Sequence, residues 1–222
     1  MKVGIMQPYF FPYIGYFQLI NAVDVYVNLD HVNFMPRSYM TRNSIKSNIP
    51  ISISVTNSSQ NKKCIETMVI LNDGYRNKFF KTLNFNYSNS KNYDNIISLI
   101  EENFYGDKSI SEFNLFFIKT ICEYLDINTK IIDSSTFFTD CDLKKEKNLI
   151  SITKQLNSNH YVNAIGGQKL YDKNDFYNQN INLSFIKMNN LEFKNPYTSI
   201  LDLIFTYDKE YIKNELNKYE MI

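Results

Sequence analysis

Residues 7–16, which read QPYFFPYIGY, concentrate side chains that can bind a flat, polar ligand. The stretch follows a short apolar run and holds five aromatic residues, two prolines and one glycine. Tyrosine rings stack on planar groups while their hydroxyls donate hydrogen bonds, and glycine lets the backbone approach a ligand closely. This mixture predicts a site for a nucleotide or for the base of a nucleotide-sugar. The residues that we expect to contact it are Gln7, Tyr9, Tyr13, Gly15 and Tyr16.

Two further groups are candidates for binding phosphate. Arg42 offers a planar fork that matches a diphosphate, and Asn43 can hydrogen-bond a sugar hydroxyl or a base edge. Gly166–Gly167 follow a strand-like run and could cradle a phosphate with backbone N–H groups, while Lys169 adds positive charge nearby. Each group also has a structural interpretation, as the exposed start of a helix for Arg42 and Asn43 and as a tight turn for the glycines.

Proton transfer has few candidate residues, because the chain contains only two histidines. His31 follows Asp30, and a neighbouring carboxylate can orient an imidazole or raise its pKa. Asp30 could itself accept a proton from an amine, and we prefer it slightly to either histidine. His160 opens a strand-like run and is either the base or a structural residue at the start of that strand. Tyr161 and Asn163 lie further along the same run and are predicted to contact the ligand.

Other chemistries find little support in the sequence. The cysteines are three in number, Cys64, Cys122 and Cys141, and no C-x-x-C pair occurs, which argues against a disulfide framework or a cysteine zinc site. We expect no metal site, because no H-x-x-x-H pair occurs either. The standard glycine-rich loops for ATP and for dinucleotides are absent from the sequence. A cysteine nucleophile is a minor alternative.

The spacing of apolar residues predicts the elements that carry these groups. Residues 2–6 form a buried strand, a helix follows Pro12, and residues 24–30 form a second strand, which together have the size of a βαβ unit. Residues 50–71 resemble a hairpin built from runs at 50–55 and 64–70. The apolar spacing over residues 75–125 predicts three helices, with breaks near 88–93 and 106–109. Strands at 129–133, 160–165 and 183–188 then alternate with helices at 144–156 and 168–178, before one or two helices at 198–219.

This alternation favours an α/β fold with a largely parallel, Rossmann-like sheet. We predict a single domain over residues 1–222, in which the first βαβ unit is followed by the inserted hairpin and by a mostly helical insertion at 73–126. Ligands of such sheets bind beyond the carboxyl ends of the strands, where the strand order reverses. The loop at 7–16, the Arg42–Asn43 pair and the two glycines are therefore expected to meet there.

Charge and hydropathy limit the partners of the chain. Its 24 basic and 23 acidic residues give a net charge of +1, and no basic face is visible, so we expect no nucleic acid partner. No apolar stretch approaches the ~20 residues that cross a bilayer, and the first residues lack the features of a secretory signal. We therefore predict no membrane insertion and a cytoplasmic location. The many aromatic residues could serve a homodimer interface.

The first thirty residues resemble a nucleotidyltransferase motif. Residues 12–16, PYIGY, resemble the end of the signature G-x-F-D-P-x-H-x-G-H, with Tyr13 and Tyr16 in place of its two histidines. The resemblance implies a nucleotidyltransferase-like first βαβ unit. A tyrosine at its usual pKa offers no positive charge to a transferring phosphate, which argues against adenylyl transfer.

A second resemblance covers nearly the whole chain. It is carried by IMQPYFFPYIGYFQLINAVD at 5–24, DHV at 30–32, TRNSI at 41–45, HYVNAIGGQKLY at 160–171 and SILD at 199–202. These blocks resemble the WbqC-like family, whose members occur among bacterial O-antigen and surface-glycan genes. The chain departs from the family at Leu29–Asp30, where paired acids are frequent, and at Tyr39, where a tryptophan is frequent.

The resemblance to the WbqC-like family implies an amide-forming enzyme, because genes of this family accompany those for dTDP-linked amino sugars with acyl or aminoacyl groups on nitrogen. We therefore expect an N-acyl- or aminoacyltransferase that acts on a nucleotide-linked amino sugar in O-antigen and lipopolysaccharide biosynthesis. It would bind no cofactor tightly and would use coenzyme A, an acyl carrier protein or an aminoacyl thioester as donor. The alternatives are an ATP-dependent ligase that forms an acyl-adenylate and a non-catalytic nucleotide-sugar-binding or assembly partner.

Overall fold

A computed structural model describes residues 1–56, 59–137 and 145–222 of the chain. The strands that it contains are β1 (Lys2–Met6), β2 (Val25–Asn28), β3 (Arg42–Ile45), β4 (Ile49–Ser52), β5 (Ser54–Val55), β6 (Val69–Ile70), β7 (Lys130–Asp133), β8 (His160–Ala164), β9 (Asn182–Met188) and β10 (Tyr219–Met221). The helices are α1 (Ile14–Asn21), α2 (Asp73–Tyr87), α3 (Tyr93–Glu101), α4 (Ile110–Tyr124), α5 (Lys145–Gln155), α6 (Lys173–Tyr177), α7 (Ile200–Thr206) and α8 (Lys209–Glu215). Among these described residues, no helix combines the length and apolar character that crossing a membrane requires.

The central sheet has six strands in the order β10-β9-β8-β1-β2-β7. All neighbours are parallel except β10, which runs antiparallel to β9 at one edge. Counted along the chain, the five parallel strands lie in the order 3-2-1-4-5, which is the Rossmann order. The direction of winding reverses between β1 and β8, so their carboxyl ends form the switch point where ligands bind in such folds. The predicted α/β class with a largely parallel sheet is confirmed.

The first βαβ unit packs closely because β1 carries a glycine on the face that meets α1. A Cβ atom on Gly4 would lie 3.3 Å from the side chains of both Leu19 and Val23, so any larger residue would push the helix away. The other face of β1 presents Val3 and Ile5 to a second apolar cluster beneath α5 and α6. The strand is therefore buried on both sides, as its continuous apolar sequence predicts.

The helical segment α2–α4 buries the two phenylalanines of the opening loop, which we define as residues 7–13. Phe10 lies against Phe79 and Phe113, and the Phe11 ring centroid is 4.8 Å from that of Phe117. Burying each such ring contributes ~1.5–3 kcal/mol to stability. The segment thus forms the apolar support beneath the opening loop, and its three helices confirm the predicted breaks.

Two consecutive rings can both enter the core only if the backbone turns between them, because successive side chains of an extended chain point to opposite sides. Phe11 makes this turn with φ of 40°, a region that large side chains rarely adopt and that costs ~1–3 kcal/mol. The turn is held by hydrogen bonds to the Phe11 carbonyl from Asn43 Nδ2 at 2.7 Å and from Ser199 Oγ at 2.8 Å. Asn43 also donates to the Phe10 carbonyl at 3.2 Å.

The first half of the opening loop is held in the same manner. The Tyr16 hydroxyl donates to the Gln7 carbonyl at 2.8 Å. Asn114, a buried residue of α4, donates to the Pro8 carbonyl at 3.0 Å and to the Met40 carbonyl at 2.8 Å. One amide group therefore ties the opening loop to the segment that leads into β3.

The predicted hairpin at 50–71 requires correction. Its first run divides, since β4 pairs with β3 and only β5 pairs with β6. Residues Cys64–Glu66 form a 3-10 turn instead of extending the second strand. Arg42 and Asn43 lie in β3 and not at the start of a helix. Polar residues such as these carry no strand pattern, and their partner strand decides their conformation.

Two predictions in the second half of the chain also differ from the structure. The helix expected over residues 168–178 is confined to Lys173–Tyr177, because Ile165–Lys169, with both glycines, form a 3-10 turn. The residues of β10, which no strand pattern marks, are fixed only by their pairing with β9.

Asn114→Ala tests the support of the opening loop. The change leaves two carbonyl groups without their donor, and we expect the free energy of unfolding to fall by ~1–3 kcal/mol in urea denaturation. Asn84→Ala, on the exposed face of α2, is the matched control and should change stability by less than ~0.5 kcal/mol. Equal effects of the two substitutions would contradict the proposed role of Asn114.

Candidate functional site

The loops that follow β1 and β8 meet at the switch point. Gly166 is exposed, and a Cβ atom there would have no neighbour within 4 Å, whereas Gly167 is buried. A Cβ atom on Gly167 would lie 3.3 Å from the ring of Tyr171, which follows in the same loop. Because β1 and β8 are adjacent parallel strands, this loop and the opening loop begin at the same edge of the sheet.

A third loop, residues 35–39, closes against the opening loop. The Phe10 N–H donates to the Tyr39 carbonyl at 2.8 Å, and the ring centroids of Tyr9 and Tyr39 are 5.7 Å apart. The Gln7 amide lies 3.9 Å from the sulfur of Met35. Tyr39 remains 62% exposed, so its ring is positioned without being buried.

Tyr13 completes this surface together with Tyr197, which lies before α7. Their ring centroids are 6.1 Å apart, with 25° between the ring planes. A Cβ atom on Gly15 would come within 2.4 Å of the Tyr13 ring, so Gly15 is needed to admit that ring. The predicted role of Gly15, to let the backbone approach a ligand, is therefore replaced by a role in packing the Tyr13 ring. The surface is called the rim site below, and its residues are Gln7, Tyr9, Tyr13, Tyr39, Gly166, Tyr171 and Tyr197.

The two inner tyrosines of the rim site are neutral hydrogen-bond donors. The pKa of Tyr13 is raised to about 12, chiefly by burial and to a smaller extent by the neighbouring hydroxyls of Tyr9, Tyr197 and Tyr39. Burial likewise raises the pKa of Tyr9, with smaller contributions from Tyr171 and Tyr39. Neither residue can act as a base near neutral pH, but both can donate to an oxygen that gains negative charge.

Two predicted contact residues are instead enclosed in the core. Tyr16 is 1% exposed, and its hydroxyl is shared between the Gln7 carbonyl and the hydroxyl of Tyr26. Tyr161 is also 1% exposed, and its ring stacks on Phe176. The prediction that these tyrosines contact a ligand is therefore corrected, because no part of either ring reaches the rim.

His160 lies at the opposite edge of the sheet. It is the first residue of β8 and pairs with Lys2, the first residue of β1. Its Nε2 atom is 3.0 Å from Ser184 Oγ. Partial burial lowers its pKa, with the charges of Lys2 and the amino terminus adding to the effect. The prediction that His160 is a catalytic base is therefore corrected, because His160 lies at the amino ends of the strands and the rim site lies at their carboxyl ends.

Asp30 and His31 follow β2 at the carboxyl edge. The Asp30 carboxylate is 4% exposed and accepts hydrogen bonds from Ser134 Oγ at 2.6 Å, Ser135 N–H at 2.9 Å and Ser135 Oγ at 2.6 Å. It therefore fixes the turn that follows β7. His31 is half-buried, and its backbone N–H lies 3.4 Å from Ser134 Oγ. Of the three predicted proton acceptors, His31 is the one that is both accessible and at this edge.

The remaining predicted residues divide into supporting and exposed groups. Asn43 supports the opening loop, and the buried Asn163 accepts a hydrogen bond from the Ala164 N–H at 2.7 Å. Arg42 and Lys169 are exposed, and neither forms an ion pair with any residue that the structure describes. These two cations are therefore available to an anionic ligand.

The cysteines and acids offer no alternative centre. The thiols of Cys64 and Cys122 are buried, and burial raises the pKa of each to about 12, so neither is a ready nucleophile. Cys141 lies outside the described residues. Within the described part of the chain, no group of three or more His, Cys, Asp or Glu side chains could hold a metal ion.

Two surface depressions lie on the helical segment and away from the rim site. One, of about 470 Å³, is lined by residues of α2 and α3 and includes the ion pair between Arg76 and Glu101. The other, of about 620 Å³, lies along α2 and is lined by Gly74, Lys78, Lys81 and Phe85, among others. Neither contains a residue predicted from the sequence to bind ligand or move a proton.

The sequence missed three tyrosines of the rim site as contact residues. Tyr39, Tyr171 and Tyr197 come from separate loops, and no spacing relates them to the opening loop. The sequence feature that could have identified them is weak. It is an aromatic residue in a turn-rich segment, such as Tyr197 after Asn195–Pro196. Only the tertiary fold brings these rings together.

Comparison with known proteins gives a family match and one distant relative. The model of the WbqC-like protein family matches residues 7–214. The uncharacterized protein Rv1507c of Mycobacterium tuberculosis is 26% identical over 225 residues, which cover 94% of this chain and 95% of that protein. No solved structure matches the chain.

Gly15→Ala tests the packing of the Tyr13 ring. The added methyl group must displace the ring, and we expect the free energy of unfolding to fall by ~1–3 kcal/mol. Gly166→Ala is the matched control, because its methyl group meets open space and should change stability by less than ~0.5 kcal/mol.

A double-mutant cycle isolates the clash. In a Tyr13→Ala background, Gly15→Ala should be neutral or stabilising, since alanine is a better helix former than glycine. An undiminished penalty in that background would mean that the Tyr13 ring is not the group that Gly15 accommodates.

Proposed function

The chain belongs to the WbqC-like protein family, and from this premise we propose that it transfers an acyl or aminoacyl group to the nitrogen of a nucleotide-linked amino sugar. The observation that carries the proposal is the convergence of the loops after β1 and β8 at the Rossmann switch point. There the loop after β1 carries tyrosine rings, and the loop after β8 carries a glycine that is open on its Cβ side. This is the usual position for a nucleotide in such a sheet.

The rim site matches the parts of a nucleotide-sugar. Tyr13 and Tyr197 offer flat faces for a base, and stacking on such rings is typically worth ~1–3 kcal/mol per base. Gly166 leaves its backbone open to a phosphate group, and Arg42 and Lys169 supply positive charge without having to break an ion pair within the described residues.

The reaction needs a neutral amine, an acyl thioester and a group that accepts a proton. The sugar nitrogen attacks the thioester carbonyl, so that the N–C bond forms and a tetrahedral oxyanion appears. The oxyanion collapses, the C–S bond breaks, and the proton lost by nitrogen is returned to the departing thiolate. In our proposal His31 carries that proton, while Tyr9 donates a hydrogen bond to the oxyanion.

Asp30 has a positioning role in this scheme. Its carboxylate is buried, and both of its oxygens already accept hydrogen bonds from Ser134 and Ser135. By fixing the turn after β7 it also fixes Ser134, whose hydroxyl lies next to the His31 backbone. We therefore assign the proton transfer to His31 in place of Asp30.

The ATP-dependent ligase has weaker support. Tyr16 stands where the nucleotidyltransferase signature has its second histidine, and its burial keeps it from contacting a phosphate. The non-catalytic alternative predicts nucleotide-sugar binding without product, and the following experiment distinguishes it.

The test incubates the protein with a dTDP-linked amino sugar and with acyl-coenzyme A, acyl carrier protein or aminoacyl thioesters, and detects new amides by mass spectrometry. We expect wild-type protein to form an amide with one donor class. His31→Gln should lower the rate by ~10²–10⁴-fold while leaving calorimetric binding of the nucleotide-sugar unchanged. His160→Gln is the control and should retain both properties.

Three results would each count against the proposal. Binding without any amide would favour the non-catalytic alternative, and amide formation that requires ATP would favour the ligase. Wild-type rates for His31→Gln would reject its assigned role.

A further inference from the structure

The outward face of α2 carries an unusual combination of charge and apolar surface. Phe85 is 88% exposed, more than any other large apolar side chain in the described residues. Lys78 and Lys81 precede it by seven and four positions, so all three side chains share one face of the helix. They line the depression of about 620 Å³ together with Ile49 of β4.

The charges on this face have no counter-ions among the residues that the structure describes. Lys78 and Lys81 are exposed and take part in no ion pair with the described residues, although several other lysines of the protein do. The side chains that line the depression include no aspartate or glutamate. An exposed aromatic ring between unpaired lysines is the pattern expected of a surface that receives an acidic partner with an apolar contact.

The same face adjoins the β3–β4 hairpin, which in turn contacts the opening loop. Arg42 pairs with Ser52, and Ser52 is hydrogen-bonded to Tyr75 in the first turn of α2. At the other end of the hairpin, the Lys46 N–H lies 3.4 Å from the Tyr87 hydroxyl in the last turn of α2. The helix therefore lies alongside the hairpin over its whole length, and Asn43 of that hairpin binds the opening loop.

We propose that this face of α2, which we call the α2 face and define by Lys78, Lys81 and Phe85, docks an acidic acyl carrier protein. Phe85 packs against an apolar side chain of the carrier, and the two lysines pair with its carboxylates. The carrier's phosphopantetheine thioester then extends along the hairpin towards Arg42 and the rim site. This inference rests on the proposed function and selects carrier-bound thioesters among the possible donors.

Binding of a bacterial holo acyl carrier protein to the full-length protein tests the proposal by biolayer interferometry. We expect binding that weakens as salt is raised, since exposed charges supply part of it. Lys78→Glu combined with Lys81→Glu should weaken binding by about tenfold or more, and Phe85→Ser should have a similar effect.

The matched controls lie elsewhere on the surface. Lys119→Glu reverses an exposed charge on α4, and Tyr177→Ser removes a ring that is 78% exposed on α6. Neither should change carrier binding by more than about twofold. Absence of carrier binding, or equal losses in the α2-face variants and the controls, would overturn the docking proposal.

Calorimetry with the dTDP-linked amino sugar separates this proposal from the proposed function. The α2-face variants should bind the nucleotide-sugar as tightly as the wild type does. With acyl-coenzyme A or a small thioester as donor, they should form amide at the same rate as the wild type. Loss of nucleotide-sugar binding in these variants would mean that the α2 face belongs to the rim site and is not a separate docking surface.

Discussion

The opening loop owes its shape to interior side chains that bind its backbone carbonyl groups. Asn114 on α4, Asn43 on β3 and Ser199 before α7 come from distant parts of the chain, yet each donates to this one segment. A buried carbonyl without a donor costs ~1–3 kcal/mol, so these hydrogen bonds fix the loop strongly. They hold Phe11 in its unusual backbone conformation and thereby turn the phenylalanines inward and leave Tyr9 and Tyr13 at the surface.

This arrangement explains why one short segment contains so many rings. The phenylalanines secure the loop to the helical segment, and the tyrosines furnish a surface whose hydroxyls stay protonated because burial raises the pKa of Tyr9 and Tyr13. Polar groups that looked catalytic in the sequence often serve the same support. Asp30 fixes the turn after β7, and Asn43 faces the loop.

The parts of the fold that depend on local pattern were predictable. Apolar runs and helical spacing indicated β1, α1, β2 and the three inserted helices, because each of these elements buries a regular face. The pairing of β3 with β4 and the existence of β10 were not predictable, since their residues gain strand structure only from a partner. The same limit applies to the site. The composition of the opening loop indicated a binding segment, whereas Tyr197 reaches Tyr13 only through tertiary folding. The burial of Tyr16 likewise depends on its contact with Tyr26.

The six glycines of the chain offer the most direct measurement of whether the switch point between β1 and β8 binds a nucleotide-linked sugar, as we propose. In a spectrum of protein labelled with ¹⁵N-glycine, titration with a dTDP-linked amino sugar should shift the amide signals of Gly15, Gly166 and Gly167. The signals of Gly4, Gly74 and Gly106, which lie away from the rim site, should stay in place. A shift of Gly74, which lines the depression on α2, without any shift of Gly166 and Gly167 would contradict the account, as would six unmoved signals at saturating ligand.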